Sequence, residues 1–202
     1  MRVRPVGATA LLLEFPDGEQ VESWRAELWR RRAQGDLHAL DIVPGARTVL
    51  LDGVPPGTAD LIAGWTPADP SAVAEEAPLV EIPTTFDGDD LDAVAGHWGV
   101  DVATAVDRLT TTPLRVAFSG FAPGFAYLAG MPDDWSVPRL PAPRPRVPAG
   151  SVALAGSYAG IYPTASPGGW RLVGRTSAEL FDVHRDPPAL LVPGTRVHLV
   201  SA

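Results

Sequence analysis

Apolar residues near the start of the chain come in short runs separated by turn residues, a pattern typical of strands. Val3–Val6 and Thr9–Phe15 are two such runs, and Gly7 lies between them. Asp41–Val43 and Thr48–Leu51 flank a Pro-Gly pair and predict a hairpin. The sequence therefore predicts two pairs of strands in the first part of the chain.

Two helices are predicted to follow these strand pairs. Glu22–Ala33 carries apolar residues at helical spacing (Val21, Trp24 and Leu28), with an opposite charged face formed by Arg25, Arg30 and Arg32. Thr58 is predicted to cap a second helix that runs to Trp65. The predicted order is ββαββα, and we interpret Trp24, Trp29 and Trp65 as anchors in a core or an interface.

The proline-rich segment Thr66–Pro78 is the best candidate for a linker. It predicts two domains, a small two-layer α/β domain over residues 1–77 and a second domain over residues 78–202. In the second domain, Leu79–Phe86 is predicted as a strand and is followed by two short helices. Asp89 or Asp90 can cap the first helix, and Asp101 the second, whose apolar face would carry Val102, Val106 and Leu109.

Beyond Leu114 the pattern changes to short apolar strands separated by Pro and Gly, which indicates a β-barrel and an overall α+β fold. The clearest predicted strands are Arg115–Phe118, Ser151–Ala155, Trp170–Val173, Leu190–Val192 and Arg196–Val200.

Composition restricts the chemistry. The chain has no cysteine, and all 16 of its basic residues are arginine. Cysteine nucleophiles, Schiff-base lysines and the lysine of a P-loop are therefore excluded. The net charge of −8 argues against non-specific nucleic-acid binding. The four histidines lack metal-ligand spacing, so we expect no metal site. The N-terminus has too short an apolar run for a signal peptide, and we expect a cytoplasmic protein.

The segment GFAPGFAYL, residues Gly120–Leu128, combines two glycines, a proline and three aromatic residues. A loop of this kind can form the wall of a pocket through Phe121 and Phe125 while its backbone N–H groups point inward. Its aromatic residues can equally close the end of a barrel, and the residues alone leave both interpretations open.

Pro138–Gly150 holds Arg139, Arg144 and Arg146 among five prolines. Proline restricts the backbone to extended conformations, so the guanidinium groups can form a clamp for a carboxylate or a phosphate with a small entropy loss. A solvated loop or a proline-rich docking segment would show the same pattern.

The segment SPGGWRLVGR, Ser166–Arg175, joins a Pro-Gly-Gly turn to a strand. Gly168 and Gly169 before Trp170 permit an anion-binding nest of N–H groups, although most such turns bind nothing. Arg175 and Asp182 are second choices for the site, and a structural ion pair is the alternative role for them.

These segments together resemble the family of 5-oxoprolinase B subunits, also called allophanate hydrolase subunit 1 or kinase-inhibitor-like protein. The resemblance is carried by GFAPGFAYL, by PRVPAGSVALAG, by GIYPTASPGGWRLVGRT and by the final PGTRVHLV, and it extends less specifically to EIPTTFDGDDLDAVA and the N-terminal VRPVGATALLLEF. It implies a small α+β domain followed by a cyclophilin-like β-barrel.

The resemblance also implies a non-autonomous enzyme subunit. Such a subunit pairs with a larger C-type chain of similar barrel and a third, A-type protein, and the complex uses ATP with Mg²⁺ to open 5-oxoproline to glutamate. The alternative is a binding module that inhibits a sensor histidine kinase. Prolyl isomerase activity would follow only from the barrel's kinship to cyclophilins, and a fold does not carry a function.

For the site, the resemblance favours a pocket between the GFAPGF loop, the proline-held arginines and the Pro-Gly-Gly turn. Phe121, Phe125, Tyr162 and Trp170 would exclude water around the lactam. Two positions depart from the family pattern: relatives usually carry His in place of Leu109 and Pro in place of Ala126. We interpret Leu109 as a packing residue.

Overall fold

The computed structural model describes residues 1–67, 69 and 77–202. They fall into two compact units, Met1–Ala77 and Pro78–Ala202. Most of the predicted linker, residues 68 and 70–76, lies outside the described residues. No helix in the described part of the chain is both long enough and apolar enough to cross a membrane.

The described residues of the first unit form a four-stranded antiparallel sheet with two helices, in the predicted ββαββα order. Along the chain the elements are β1 (Arg2–Val6), β2 (Ala10–Glu14), α1 (Gly18–Gln34), β3 (Asp41–Pro44), β4 (Thr48–Asp52) and α2 (Thr58–Ala63). The strands lie in the order β1-β2-β4-β3, and their inner face packs with α1 around a core that includes Leu13, Trp24, Leu28, Val49 and Leu51.

Helix α1 begins four residues earlier than predicted, because Asp17 caps it by accepting a hydrogen bond from the Gln20 N–H at 2.9 Å. The prediction that Arg25 belongs to a solvent-facing charged surface was wrong. Arg25 is only 6% exposed, binds the Glu22 carboxylate through Nε at 2.7 Å and stacks on Trp29. Its charge is therefore paired and its planar group covers an indole, which permits burial.

Two other predicted details of the first unit need correction. Thr58 is the first residue of α2 and not its cap; its hydroxyl donates to the carbonyl of Pro55 at 2.8 Å, and Gly57 occupies the cap position. The helix also ends at Ala63, before Trp65. Trp24 is buried, whereas Trp29 and Trp65 are partly buried against the core.

The second unit contains a seven-stranded, barrel-like sheet, and the predicted α+β class is confirmed. Its elements are β5 (Leu79–Thr84), α3 (Leu91–His97), α4 (Val102–Thr111), β6 (Leu114–Ser119), β7 (Ala126–Ala129), a 3₁₀ turn (Asp133–Trp135), β8 (Arg144–Val147), β9 (Ser151–Ala155), β10 (Tyr158–Ile161), β11 (Ser166–Gly168), β12 (Arg171–Arg175) and β13 (Arg196–Ser201). The sheet order is β12-β9-β10-β7-β6-β13-β5, and β11 pairs separately with β8.

The two outer strands of this sheet approach each other through an isolated bridge. The backbone groups of Thr85, just after β5, and Arg175, at the end of β12, exchange two hydrogen bonds of 2.9 Å. This bridge nearly closes the sheet into a barrel. Apart from β13 and β5, which are parallel, every neighbouring pair is antiparallel.

The strand prediction for Leu190–Val192 was wrong. Leu191 is buried, but the segment forms no strand. Pro188 and Pro193 flank it and cannot donate hydrogen bonds to a ladder, so the run makes only single backbone contacts, such as the 2.9 Å hydrogen bond from the Leu190 N–H to the Leu180 carbonyl. Conversely, β7, β8, β10 and β11 are strands that the pattern did not single out; each has only three or four residues, and β8, β10 and β11 contain Pro or Gly.

Helices α3 and α4 start at or next to the predicted aspartates. Asp101 caps α4 through a 2.7 Å hydrogen bond from the Thr104 N–H, as predicted. Val102 is exposed, contrary to prediction, and Ala105 takes its place on the buried face beside Leu109. Leu109 is 2% exposed in the core of the barrel, in agreement with a packing role.

Candidate functional site

A pocket of about 230 Å³ lies in the second unit, between the loop before β7, the end of β10 and the segment joining β11 to β12. We call it the aromatic pocket. Seven residues singled out from the sequence line it: Phe121, Phe125, Arg139, Tyr162, Gly168, Gly169 and Trp170. The fold thus brings residues from all three Gly- and Pro-rich segments to one cavity.

The floor of the aromatic pocket is a set of rings packed edge to face. Phe125 lies at its centre, with ring centroids 5.4 Å from Tyr162 and 5.5 Å from Trp170 and interplanar angles of 81° and 88°. These three residues are buried. Gly160 of β10 makes the packing possible, because a Cβ there would lie 2.9 Å from Phe125 and 3.0 Å from Trp170. Edge-to-face packing of this kind fixes the rings before a ligand arrives.

Phe121 differs from the other rings because it is 60% exposed. Its φ of 70° places it in the left-handed region, which is uncommon for a non-glycine residue. The ring contacts Phe125 and Tyr162 edge to face at 5.2 and 6.1 Å. Phe121 therefore forms an exposed aromatic rim of the pocket, held by a strained backbone.

Arg139 is the one cation among the residues that line the aromatic pocket. Its guanidinium carbon lies 5.8 Å from the centre of the Trp170 ring, and no acidic residue in the described ranges forms an ion pair with it. A guanidinium that rests on an indole and lacks a carboxylate partner is available to an anionic ligand.

The Tyr162 hydroxyl also belongs to the wall of the pocket. Burial raises its pKa above the ordinary value of 10.0, while the charge of Arg139, the backbone of Trp170 and the charge of Arg144 act in the opposite direction. The net shift is upward, so the phenol keeps its proton at neutral pH.

Arg144 does not line the pocket and instead pairs with a buried carboxylate. Its Nη2 atom donates to Oδ2 of Asp90 at 2.9 Å, and its Nη1 reaches the carbonyl of Trp170 at 3.4 Å. Asp90 Oδ2 also accepts the Leu172 N–H at 2.7 Å, and its Oδ1 lies 3.8 Å from Arg171. These contacts connect Asp90, at the start of α3, to β8 and β12. The two strands lie on either side of Gly168–Trp170, which line the pocket.

The other two candidate arginines lie apart from the aromatic pocket. Arg146 is exposed on β8 and is not among the residues that line the cavity. Arg175 donates from Nε to Asp87 at 2.8 Å in an exposed ion pair. Its partner is Asp87, and Asp182 instead accepts the backbone N–H of His184.

Sequence reasoning missed Asp90 as a part of this region. Two consecutive aspartates before an apolar helix predict a cap, and Asp90 does occupy the cap position of α3, yet its side chain caps nothing. The signal that distinguishes it is burial, which local sequence does not reveal. Tyr127, also in the pocket wall, was missed because β7 was not predicted. Alternation along the strand would have placed it beside Phe125.

The histidines make backbone contacts at two positions. Nε2 of His97 lies 2.9 Å from the carbonyl oxygen of Ser136, and His198 contacts the carbonyl of Thr110. Across the described ranges, no group of three or more His, Asp or Glu side chains is arranged to hold a metal ion.

Comparisons with known proteins identify the family to which this chain belongs. A family model for the carboxyltransferase domain, subdomains C and D, matches residues 1–191. The chain is 36% identical over 206 residues to the 5-oxoprolinase B subunit of Escherichia coli O157:H7, covering 96% of this chain and 93% of that protein.

Solved structures agree with this match. The crystal structure of TTHA0988 superimposes with a TM-score of 0.79 at 34% identity; the match covers 100% of this chain, which spans 40% of the length of TTHA0988. The urea carboxylase of Kluyveromyces lactis shares the fold at a TM-score of 0.63 and 17% identity, with 21% of its length covered. The sequence motifs, the barrel-like sheet and these matches together show that the chain belongs to the 5-oxoprolinase B-subunit family of carboxyltransferase-domain proteins.

Proposed function

We propose that the chain is the B subunit of an ATP-dependent 5-oxoprolinase complex and that its aromatic pocket binds 5-oxoproline. The observation that carries the ligand assignment is the pairing of Arg139 with a small aromatic cavity. 5-Oxoproline combines a carboxylate with a flat five-membered lactam. These two chemical features match a free guanidinium and a set of edge-to-face rings.

The size of the cavity supports a small ligand. At about 230 Å³ it lies below the usual range of roughly 300–1,000 Å³ for small-molecule sites. Its size matches a single ring with its substituents better than a nucleoside triphosphate. The buried rings would exclude water from the lactam and thereby strengthen the ion pair between Arg139 and the carboxylate.

The described residues around the aromatic pocket do not fit Mg²⁺–ATP. The aromatic pocket presents one guanidinium, and the described residues offer no group of three metal ligands. Because the chain also lacks lysine, it has none of the usual lysine contacts to phosphates. We therefore place nucleotide binding in the assembled complex and not in the aromatic pocket of this chain.

The relatives are B subunits by name, which supports an assembly with other chains. The proposed partners are a larger C-type chain with a similar barrel and a third, A-type protein. We expect the purified chain alone to show no lactam-dependent ATP hydrolysis. Inhibition of a histidine kinase receives no support from the names of the relatives.

To test this proposal, the complex is reconstituted with the wild-type chain or a variant, and glutamate formation from 5-oxoproline and ATP is measured. Arg139→Ala should raise the KM for 5-oxoproline by about three- to tenfold, because a charge-assisted contact to the carboxylate is lost; Arg139 is an exposed residue, so solvent screens part of that contact. Arg139→Lys should also be impaired, since an ammonium cannot make a bidentate contact or stack on Trp170.

Arg146→Ala is the matched control. It removes the same charge from the same proline-rich segment but outside the cavity, and it should keep the KM within about twofold of the wild type. Equal activity of the Arg139 and Arg146 alanine variants would show that the aromatic pocket is not the lactam site.

A further inference from the structure

Tyr162 is held so firmly that its hydroxyl has a fixed position in the aromatic pocket. Its backbone N–H donates to Ser151 at 3.0 Å, and its carbonyl accepts from Gly150 at 2.7 Å. Its ring is confined by Phe125 and Phe121. A side chain that is fixed on both its backbone and its ring keeps its hydroxyl at one place in the wall of the pocket.

Gly168 creates the space that this hydroxyl occupies. A Cβ at position 168 would lie 2.1 Å from the Tyr162 oxygen and 2.9 Å from Cζ, distances that no real side chain could adopt. The hydroxyl therefore lies directly against the backbone of β11, where only glycine admits it.

The hydrogen-bonding capacity of this hydroxyl is only partly used. A phenol can donate one hydrogen bond and accept two. Besides the effect of burial, Arg139, the Trp170 backbone and Arg144 act to lower the pKa of Tyr162, whereas Tyr127 acts to raise it; the two guanidinium groups can only donate hydrogen bonds. Among the residues that the structure describes, its O–H donates to no acceptor. The hydroxyl is not among the buried side-chain atoms that lack a partner, and Tyr162 lines the aromatic pocket, so its donor can reach an acceptor that a ligand brings there.

We infer that the Tyr162 hydroxyl donates a hydrogen bond to the lactam carbonyl oxygen of the bound ligand and so orients the amide in the aromatic pocket. This inference rests on the proposed function and extends it. Arg139 would select the carboxylate, and Tyr162 would select the amide. The hydrogen bond would occupy one lone pair of the carbonyl oxygen and leave the other accessible. A ring without a carbonyl would leave the hydroxyl unpaired.

The test compares two ligands that differ at this oxygen. 5-Oxoproline has the carbonyl, whereas cyclopentanecarboxylate has a ring of the same size and the carboxylate but no amide. Affinities of the full chain for both are measured by calorimetry for the wild type and for Tyr162→Phe. We expect the variant to bind 5-oxoproline about tenfold more weakly and cyclopentanecarboxylate within twofold of the wild type.

Tyr158→Phe is the matched control, because Tyr158 begins β10, the strand that ends just before Tyr162, and has a pKa likewise raised by burial, yet does not line the aromatic pocket. It should leave both affinities unchanged. Equal weakening of both ligands by Tyr162→Phe would mean that Tyr162 only supports the pocket, and no weakening of either would also overturn the inference. A wild-type chain that binds neither ligand would overturn the proposed 5-oxoproline site itself.

Discussion

The buried carboxylate of Asp90 should be a major source of stability in the second unit, and Asp90→Ala tests this directly. The substitution removes the acceptor of the Leu172 N–H and the partner of Arg144, at 2.7 and 2.9 Å. Only 9% of the Asp90 side chain is exposed, so water cannot readily replace the lost acceptor. The Leu172 N–H alone accounts for about 1–3 kcal/mol.

Losing the ion pair with Arg144 destabilises the protein further, but by less than the loss of a fully buried pair would. Breaking a fully buried ion pair on one side destabilises by about 3–5 kcal/mol. Arg144 keeps 24% of its side chain exposed and also contacts the Trp170 carbonyl, so solvent can take over some of its hydrogen bonds. We therefore expect Asp90→Ala to lower the free energy of unfolding by about 2–4 kcal/mol.

Asp87→Ala provides the comparison, because Asp87 pairs with Arg175 at 2.8 Å on the surface, where their side chains are 45% and 67% exposed. Its effect should be about 0–1 kcal/mol. The assay is urea unfolding followed by tryptophan fluorescence, together with hydrogen exchange at the Leu172 amide. A loss in Asp90→Ala no greater than that in Asp87→Ala, with unchanged exchange at Leu172, would refute the reasoning.

Two further predictions concern the two units separately. Gly168→Ala should destabilise the second unit by about 1–3 kcal/mol and weaken 5-oxoproline binding, because its Cβ would meet the Tyr162 oxygen. The control is Gly169→Ala, whose Cβ would have ordinary contacts beginning at 3.6 Å. It should change the free energy of unfolding far less in the same urea assay. In the first unit, hydrogen bonds from Arg30 and Arg31 lower the pKa of Glu27 below 4.5, so its stabilising effect is present above that pH and disappears as the pH falls through the lowered pKa. Thermal unfolding of Glu27→Gln should therefore differ from wild type at neutral pH and converge with it in acid; a constant difference across the pH range would contradict this cause.

The sequence predicted the elements that depend on local pattern and failed where a tertiary contact overrides it. Asp101 was predicted correctly as a cap because capping involves residues three positions apart. Asp90 has the same local pattern, but its partners lie 54 and 82 residues away, on β8 and β12. Arg25 was placed on the surface because a charged residue normally lies there, and only a neighbouring carboxylate and indole make its burial possible.

The candidate site follows the same rule. Glycine and proline segments indicated the three loops because turn chemistry is local. Which arginine points into the cavity could not be predicted, since Arg139, Arg144 and Arg146 share one proline-rich segment. The partners that separate them, Trp170 for Arg139 and Asp90 for Arg144, come from distant parts of the chain.

The bridge between Thr85 and Arg175 bears on how a second protein can attach to the barrel-like sheet. A free outer strand offers a row of unpaired N–H and C=O groups, to which a foreign strand can add. Here the two outer strands, β5 and β12, already meet at the bridge, and the backbone groups of Thr85 and Arg175 are used up by each other. In the first unit the outer strands β1 and β3 carry Pro5 and Pro44, which interrupt any added ladder. A partner chain that approaches at the bridge, or along β1 or β3, would therefore have to recognise side chains and loops, and strand-to-strand aggregation at these places would be disfavoured.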